Sequence, residues 1–290
     1  MFHRVNLLGG PVDLVSCDEV IGFIGDRVAC GRKAIIGNQN LHSLEISQKS
    51  VELRAFYEAA DLIEIDSMPL VHWGRLLGLR LSRSHRATYL DWRDQFWDVA
   101  AQRGWRVFLL GATKTVNARA ISRLASRWPG VMLAGQHGYF DHTLTSSDNL
   151  AVVERINAFH PDVLLVGMGM PVQEIWIEQN FASLASGVAL SVGAAFDYEA
   201  GAQTPAPRIY GELCLEWLFR LAHDPARLFR RYLIEPWALL APALRDLTRG
   251  AAAARPVIHH GTPHSVGFTT AVRPRAGDAP ARARDFRRAA

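Results

Sequence analysis

The sequence predicts an α/β protein built on a largely parallel sheet with helices on its faces. Three observations lead there. Short apolar runs alternate with helical patterns, several runs end at a glycine, and 49% of the 290 residues are hydrophobic. Alternating strands and helices mark βαβ units. Glycine supplies the tight turn between them, and a chain of this length buries a real core as one large domain or two small ones.

The elements follow in order. Lys33–Gly37 is an apolar run closed by glycine, the first strand candidate. Leu41–Ala60 has helical spacing and room for two helices, and Leu62–Ile65 is the next strand. Pro69 opens a helix to Leu77, as proline suits a first turn. Thr88–Arg103 is helical, Arg106–Leu110 is a strand ending before Gly111, and Lys114–Trp128 is helical again. Val131–Gly135, Asp148–His160, Asp162–Gly167, Pro171–Phe181 and Gly187–Val192 continue the alternation, ending on a strand. Together they describe a Rossmann-like sheet with no internal repeat. Gly211–Arg249 is helical in pattern, rich in Trp, Leu and Phe, and carries Arg220, Arg227, Arg230 and Arg231. It follows the last strand, so it is expected to be an appendage on a finished sheet. The final forty residues are rich in Ala, Arg and Pro without apolar period, and disorder is expected there. The organisation expected is an α/β core over 1–205, a helical appendage over 206–249 and a basic tail over 250–290.

Charge and cysteine content narrow the function classes. The net charge is +4, but the last forty residues hold seven arginines and two aspartates, which leaves 25 basic and 26 acidic residues in the body. A near-neutral body lacks the basic face of a nucleic-acid binder. Three cysteines give no disulfide framework and fit a reducing cytoplasm. The first residues show no apolar core of signal-peptide length, and no run reaches the roughly 18–20 apolar residues of a membrane span. A soluble or peripheral protein is expected.

Five constellations could carry chemistry. Gly37-Asn38-Gln39-Asn40 follows a strand, where α/β proteins bind ligands; Asn38 and Asn40 suit sugar hydroxyls, or simply cap a helix. Asp66 in Glu64-Ile65-Asp66-Ser67-Met68-Pro69 is a general-base candidate if partly buried, or a capping aspartate. Arg83 and Arg86, beside hydroxyl residues before a helix, could meet phosphate, or lie in a solvated loop. Leu110-Gly111-Ala112-Thr113-Lys114 is not a Walker A loop, because position 113 is threonine rather than glycine. Gly167-Met168-Gly169-Met170-Pro171-Val172-Gln173-Glu174 lacks the third glycine of a dinucleotide fingerprint, yet aims backbone N–H groups and the Gln173 amide at a strand end. The histidines lack the spacing or cysteine company of a zinc site, and there is no acidic pair for a metal on a nucleotide diphosphate. No GxSxG elbow or cysteine–histidine signature appears.

Taken in order, these motifs resemble the WecG/TagA/CpsF family of glycosyltransferases. The resemblance runs from about Val5 to Leu240. It is carried by Val166–Ile177, by Gly193-Ala-Ala-Phe-Asp-Tyr-Glu-Ala-Gly201, and by Gly211–Leu221 continuing into Asp224–Leu233. It implies an inverting, metal-independent transfer from a UDP-sugar donor to a polyprenyl-diphosphate-linked acceptor, at the cytoplasmic face of a membrane. It makes Asp66 the catalytic base and Asn40, Arg86 and Gln173 substrate-binding residues. Asn38 stands where the family has threonine, and Asp91 closes the arginine motif. Strand-end turns around Gly111, Gly135, Gly167 and Gly169 would hold the nucleotide. Arg220, Arg227, Arg230 and Arg231 would meet the lipid diphosphate on a membrane-docking appendage, whose apolar and cationic residues fit an anionic membrane surface. Ser67 and Tyr89 replace family glycines, with an expected effect on backbone freedom and pocket volume. The competing expectations are a non-catalytic nucleotide-sugar or polysaccharide-binding module and a generic Rossmann oxidoreductase, the latter weakened by the missing glycine. A homo-oligomer is possible; the donor and acceptor sugars are not legible.

Overall fold

The computed structural model describes residues 2–204, 218, 221 and 225–249. Six strands form one parallel sheet: β3 (Ala34–Gln39), β4 (Leu62–Ile65), β5 (Arg106–Gly111), β6 (Met132–Gln136), β7 (Val163–Gly167) and β8 (Val188–Ser191). Their spatial order is β4-β3-β8-β7-β5-β6, with every neighbouring pair parallel. Helices cover both faces, as a parallel sheet requires. Against one face lie α1 (Cys17–Ala29), α5 (Tyr89–Arg103), α6 (Lys114–Arg127) and the short α9 (Ala195–Glu199). Against the other lie α3 (Val51–Ala59), α7 (Ser147–Phe159) and α8 (Val172–Asn180). The Rossmann-like expectation holds, and Leu41–Ala60 is indeed two helices, α2 (Leu41–Lys49) and α3, broken at Ser50, which caps the second through Leu53 N.

Two parts of the fold were not read from the sequence. The first is an antiparallel hairpin, β1 (Arg4–Leu7) and β2 (Gly10–Asp13), turning at Leu8 and Gly9 with φ of 52° and 83°. It seals the edge of β4. Asp13 takes Arg4 Nε at 2.9 Å and Nη2 at 2.7 Å, and also Ile63 N of β4 at 2.8 Å. Arg4 reaches on to Ala60 O and Asp61 O at 3.0 and 3.1 Å. An edge strand with its N–H group occupied is closed to further pairing. The second is α9, too short for a periodic signal.

A third apolar cluster sits beside this edge. Hairpin residues Val5, Leu7 and Val12 meet Leu70 and Val71 of α4 (Met68–Leu76), and Leu239 joins them. Leu239 belongs to a helical stretch that runs through α10 (Pro225–Phe229) to α11 (Leu240–Arg249). Asp246 of α11 is buried and accepts from Leu8 N at 2.8 Å and Trp73 Nε1 at 3.0 Å. Glu235 meets His42 Nδ1 of α2 at 2.6 Å. Two polar clips thus hold the stretch against the β4 side. Arg220 and the tail over 250–290 lie outside the described residues, as does most of 205–224.

Candidate active site

Chain direction marks the crevice. From β5 the chain moves outward to β6, while from β7 it moves the opposite way to β8. Their carboxyl ends, Gly111 and Gly167, are register partners at this reversal, where open α/β sheets bind ligands. A Cβ on Gly111 would lie 2.1 Å from Gly167 O, and its φ is +147°, so no side chain fits. Ala112 N donates to Gly167 O at 3.1 Å and Gly138 N to Ala112 O at 2.9 Å. Three turns therefore pack backbone against backbone. Ala112 holds a left-handed φ of 55°, strain of the kind kept at functional sites. Thr113 caps α6 through Val116 N at 3.2 Å, and Lys114 opens that helix. Thr113, Lys114, His137 and Tyr139 line an open pocket here.

Of the four glycines assigned to this region, Gly111, Gly167 and Gly169 stand at the strand ends, Gly169 with φ +82°. Gly135 does not. It lies within β6 under α6, where a Cβ would come 2.6 Å from Asn117 Oδ1 and 2.7 Å from Leu109 O. Asn117 needs that approach, because its Nδ2 ties together Leu109 O, Gly111 O and Gln136 O. The turn glycine on this strand is Gly138, which the sequence reading missed although His-Gly-Tyr directly follows the strand.

The second half of the site lies at the ends of β3 and β4. Asn40 caps α2, its Oδ1 accepting from His42 N at 3.0 Å and Ser43 N at 3.1 Å. Its Nδ2 donates to Asp66 Oδ2 at 3.1 Å. The capping and functional readings are both correct, one at each end of the amide. Asp66 leaves β4 with its own N–H on Gln39 O at 2.8 Å. It is not a cap, since Ser67 holds the N-cap position of α4. Asn38 spends its Nδ2 on Ser191 O at 2.8 Å, and Tyr57 OH donates to Asn38 O at 2.8 Å.

Arg86 arrives beside β4 through a single bridge with Ile65, and Ala87 N donates to Ile65 O at 3.0 Å. Asp91 orients its guanidinium, taking Nε at 3.2 Å and Nη2 at 3.0 Å, and itself accepts Thr88 N and Oγ1. Glu64 is buried one strand position below Ile65. Burial, and then the Asp66 charge, push its carboxyl well above the ordinary value. Burial, Asp91 and Glu64 push the nearby Cys17 thiol up to about 12, which removes it as a nucleophile.

Neither replaced glycine changes the pocket as expected. Ser67 is extended at φ −157°, a conformation any residue adopts. Tyr89 begins α5 and turns inward, its OH donating to Glu199 Oε1 at 2.7 Å while accepting Trp97 Nε1 at 2.9 Å. Gln173 is likewise buried, and its amide bonds Gly169 N, Gly193 N and Glu174 Oε1.

Among the described residues, His42, Glu45 and Glu235 lie within reach of one metal ion. Each already has a partner, His42 with Glu235 and Glu45 with Lys49. Of the arginines assigned to the lipid diphosphate, Arg230 is exposed at the end of α10, and Arg227 and Arg231 lie in and after that helix. On the same stretch Leu233, Ile234, Trp237, Leu240, Leu244 and Leu247 face outward, Trp237 with 69% of its surface exposed. No helix among the described residues is long and apolar enough to cross a membrane.

Comparison with known proteins agrees with this geometry. Residues 5–253 match the model of the Glycosyl transferase WecG/TagA/CpsF family. Relatives from Staphylococcus aureus strains MRSA252 and MW2 are each 36% identical over 237 residues, covering 78% of this chain and 87% of theirs. Both carry the name N-acetylglucosaminyldiphosphoundecaprenol N-acetyl-beta-D-mannosaminyltransferase.

Proposed function

The chain belongs to the WecG/TagA/CpsF family of glycosyltransferases, and from that premise we propose that it inverts a sugar carbon while moving the sugar from UDP to a polyprenyl-diphosphate-linked acceptor in bacterial surface-polysaccharide synthesis. The observation that carries this reading is the Asn40–Asp66 pair at the end of β4, 3.1 Å apart. A carboxylate steadied by one amide, beside the Arg86 guanidinium, is a general base with a neighbouring cation. The acceptor hydroxyl gives its proton to Asp66 as its oxygen bonds the anomeric carbon. The bond from that carbon to the UDP oxygen breaks on the opposite face, and UDP leaves with the electron pair.

UDP lies over the carboxyl ends of β5 and β7, against the turns of Gly111, Gly138, Gly167 and Gly169. The N-terminus of α6 and Lys114 supply positive potential there for the departing diphosphate. In this reading Asn40 and Arg86 meet the reacting sugars directly, while Asn38 and Gln173 shape the crevice through Ser191, Gly169 and Gly193. Metal is not required, because chain cations and N–H groups take the leaving charge.

Residues 206–249 serve as the membrane-docking appendage. The outward apolar row from Leu233 to Leu247 enters the lipid interface, and Arg220, Arg227, Arg230 and Arg231 meet the lipid diphosphate. Both clips of this stretch fall near the catalytic edge, through His42 and Trp73. The protein then works from the cytoplasmic face as a peripheral enzyme.

The test is UDP release from a panel of UDP-sugars, with and without a polyprenyl-diphosphate-linked N-acetylglucosamine in detergent. UDP-N-acetylmannosamine heads the panel, because the relatives' name specifies that sugar. Acceptor-dependent release is expected. Folded protein that binds UDP but releases none with any donor and acceptor pair would sink the reading.

A further inference from the structure

Gln173 is only 2% exposed. Its Oε1 accepts from Gly169 N and Gly193 N, each at 3.2 Å, and its Nε2 donates to Glu174 Oε1 at 2.6 Å. Gly169 follows β7 and Gly193 follows β8, so one carbonyl oxygen staples the two turns that border the crevice. The staple works with the amide one way round. Rotated by half a turn, Nε2 would face two N–H donors and Oε1 would face a carboxyl oxygen, and three hydrogen bonds would be lost. The acceptor that selects the working orientation is Glu174.

We propose that Glu174 is a positioning residue, whose carboxylate fixes the Gln173 amide so that the turns after β7 and β8 stay stapled at the spacing a nucleoside diphosphate needs. The inference rests on the transferase reading above. Glu174 is fully buried in the first turn of α8, so solvent does not compete for its oxygens. Tyr57 faces it from α3 and Ser191 from β8, while β7 brings only apolar residues and glycine. Through Tyr57 OH and Ser191 O the same cluster holds Asn38. One buried group therefore touches the supports of both halves of the crevice.

A packing role alone would not call for an ionisable group. Burial pushes the Glu174 carboxyl up to about 7, against hydrogen bonds from Gln173, its own backbone and Ser191 that hold it down. Its Oε2 still lacks a well-formed hydrogen bond. Tyr57 is pushed well above 10, chiefly by burial, and stays neutral across the working range. Glu174 is thus the group here that changes charge near neutrality. Ionised, it accepts strongly from Nε2; protonated, it accepts as a neutral carbonyl, and such bonds are roughly half as strong.

The experiment measures UDP affinity by calorimetry for wild type, Glu174→Gln and Glu174→Ala from pH 6 to 8.5, with donor turnover beside it. Glu174→Gln presents a neutral acceptor at every pH, so it mimics the protonated side chain. The ratio of wild-type to Glu174→Gln affinity cancels the titration of UDP itself. It is expected near one at pH 6 and to rise about tenfold by pH 8.5, with Glu174→Ala weaker than both. A ratio that stays flat or falls overturns the inference, and it can be read from Glu174→Gln alone if the alanine variant does not fold. Wild type that binds no UDP at any pH fails differently, because it removes the transferase reading beneath.

Discussion

Asn40→Asp separates two jobs that one side chain performs. The substitution keeps Oδ1, which accepts His42 N and Ser43 N, so the cap of α2 survives. Asp and Asn are equally good caps, and a negative charge at a helix N-terminus adds about 0.3–1 kcal/mol. The other end of the amide changes sign. Where Nδ2 donates to Asp66 Oδ2 at 3.1 Å, a second carboxylate now faces the first. Coulomb's law at that distance gives roughly 1 kcal/mol in water and about 5 kcal/mol at an effective dielectric near 20. At 1.36 kcal/mol per unit this raises the proton affinity of the pair by about 1–4 pH units. The acid limb of the pH–rate profile should therefore move up by at least one unit, with turnover at pH 7 falling about tenfold to a thousandfold. The melting temperature should hold within about 2 °C. The assay is acceptor-dependent UDP release from pH 5.5 to 9.5, with thermal unfolding as control. A wild-type pH profile in Asn40→Asp would refute the claim that this amide steadies a carboxylate base. Asn40→Ala, by contrast, should lose both the activity and about 1 kcal/mol of cap.

Further outcomes are expected. Asp66→Asn should bind UDP as wild type does while turnover falls about 10²–10⁴-fold, the range for a lost general base; equal turnover would acquit Asp66. Asp13→Ala strands the buried Arg4 guanidinium and the Ile63 N–H, and should cost about 3–5 kcal/mol in urea unfolding. The double change Arg4→Met with Asp13→Leu should recover part of it. Raising the Glu174 carboxyl from 4.5 to about 7 makes its ionisation cost the fold about 3 kcal/mol, present above the folded value and absent below the unfolded one. Glu174→Gln should therefore gain stability relative to wild type as pH rises from 4.5 through 7, and a constant difference would contradict this sign. Trp237→Ser with Leu240→Ser and Leu244→Ser should weaken sedimentation with anionic vesicles at least tenfold while leaving the melting temperature close to wild type.

Most of the sheet was legible because its strands are buried on both faces and read as unbroken apolar runs bounded by glycine, as Arg106–Gly111 and Val163–Gly167 show. The hairpin was not, because four-residue strands lie near the lower limit for a period-two signal and their partner is the edge of β4, far along the chain. Asp66, Asn40 and Arg86 came together as expected, for a physical reason visible only in three dimensions: β3 and β4 are neighbours, and residue 86 returns to bridge Ile65. Gly135 was misassigned because a glycine that admits a helix and a glycine that admits a ligand look alike in sequence. Gln173 was found but not its duty. The sequence marks the amide and its neighbour Glu174, and only the distances show that one is holding the other.

The bond from Leu8 N to Asp246 joins residues 238 positions apart. A ribosome adding roughly 5–20 residues per second needs about 12–48 s to make the second partner after the first. For that interval the nascent chain carries its hairpin turn and the Trp73 indole without the carboxylate that later accepts them, beside an apolar cluster still missing Leu239. The rest of the sheet has all its strands by residue 191. The catalytic edge is thus finished last, by the segment that also presents the outward apolar row. A nascent chain has no completed docking edge until synthesis is nearly over, so newly made protein is held from the membrane until its active-site flank is complete.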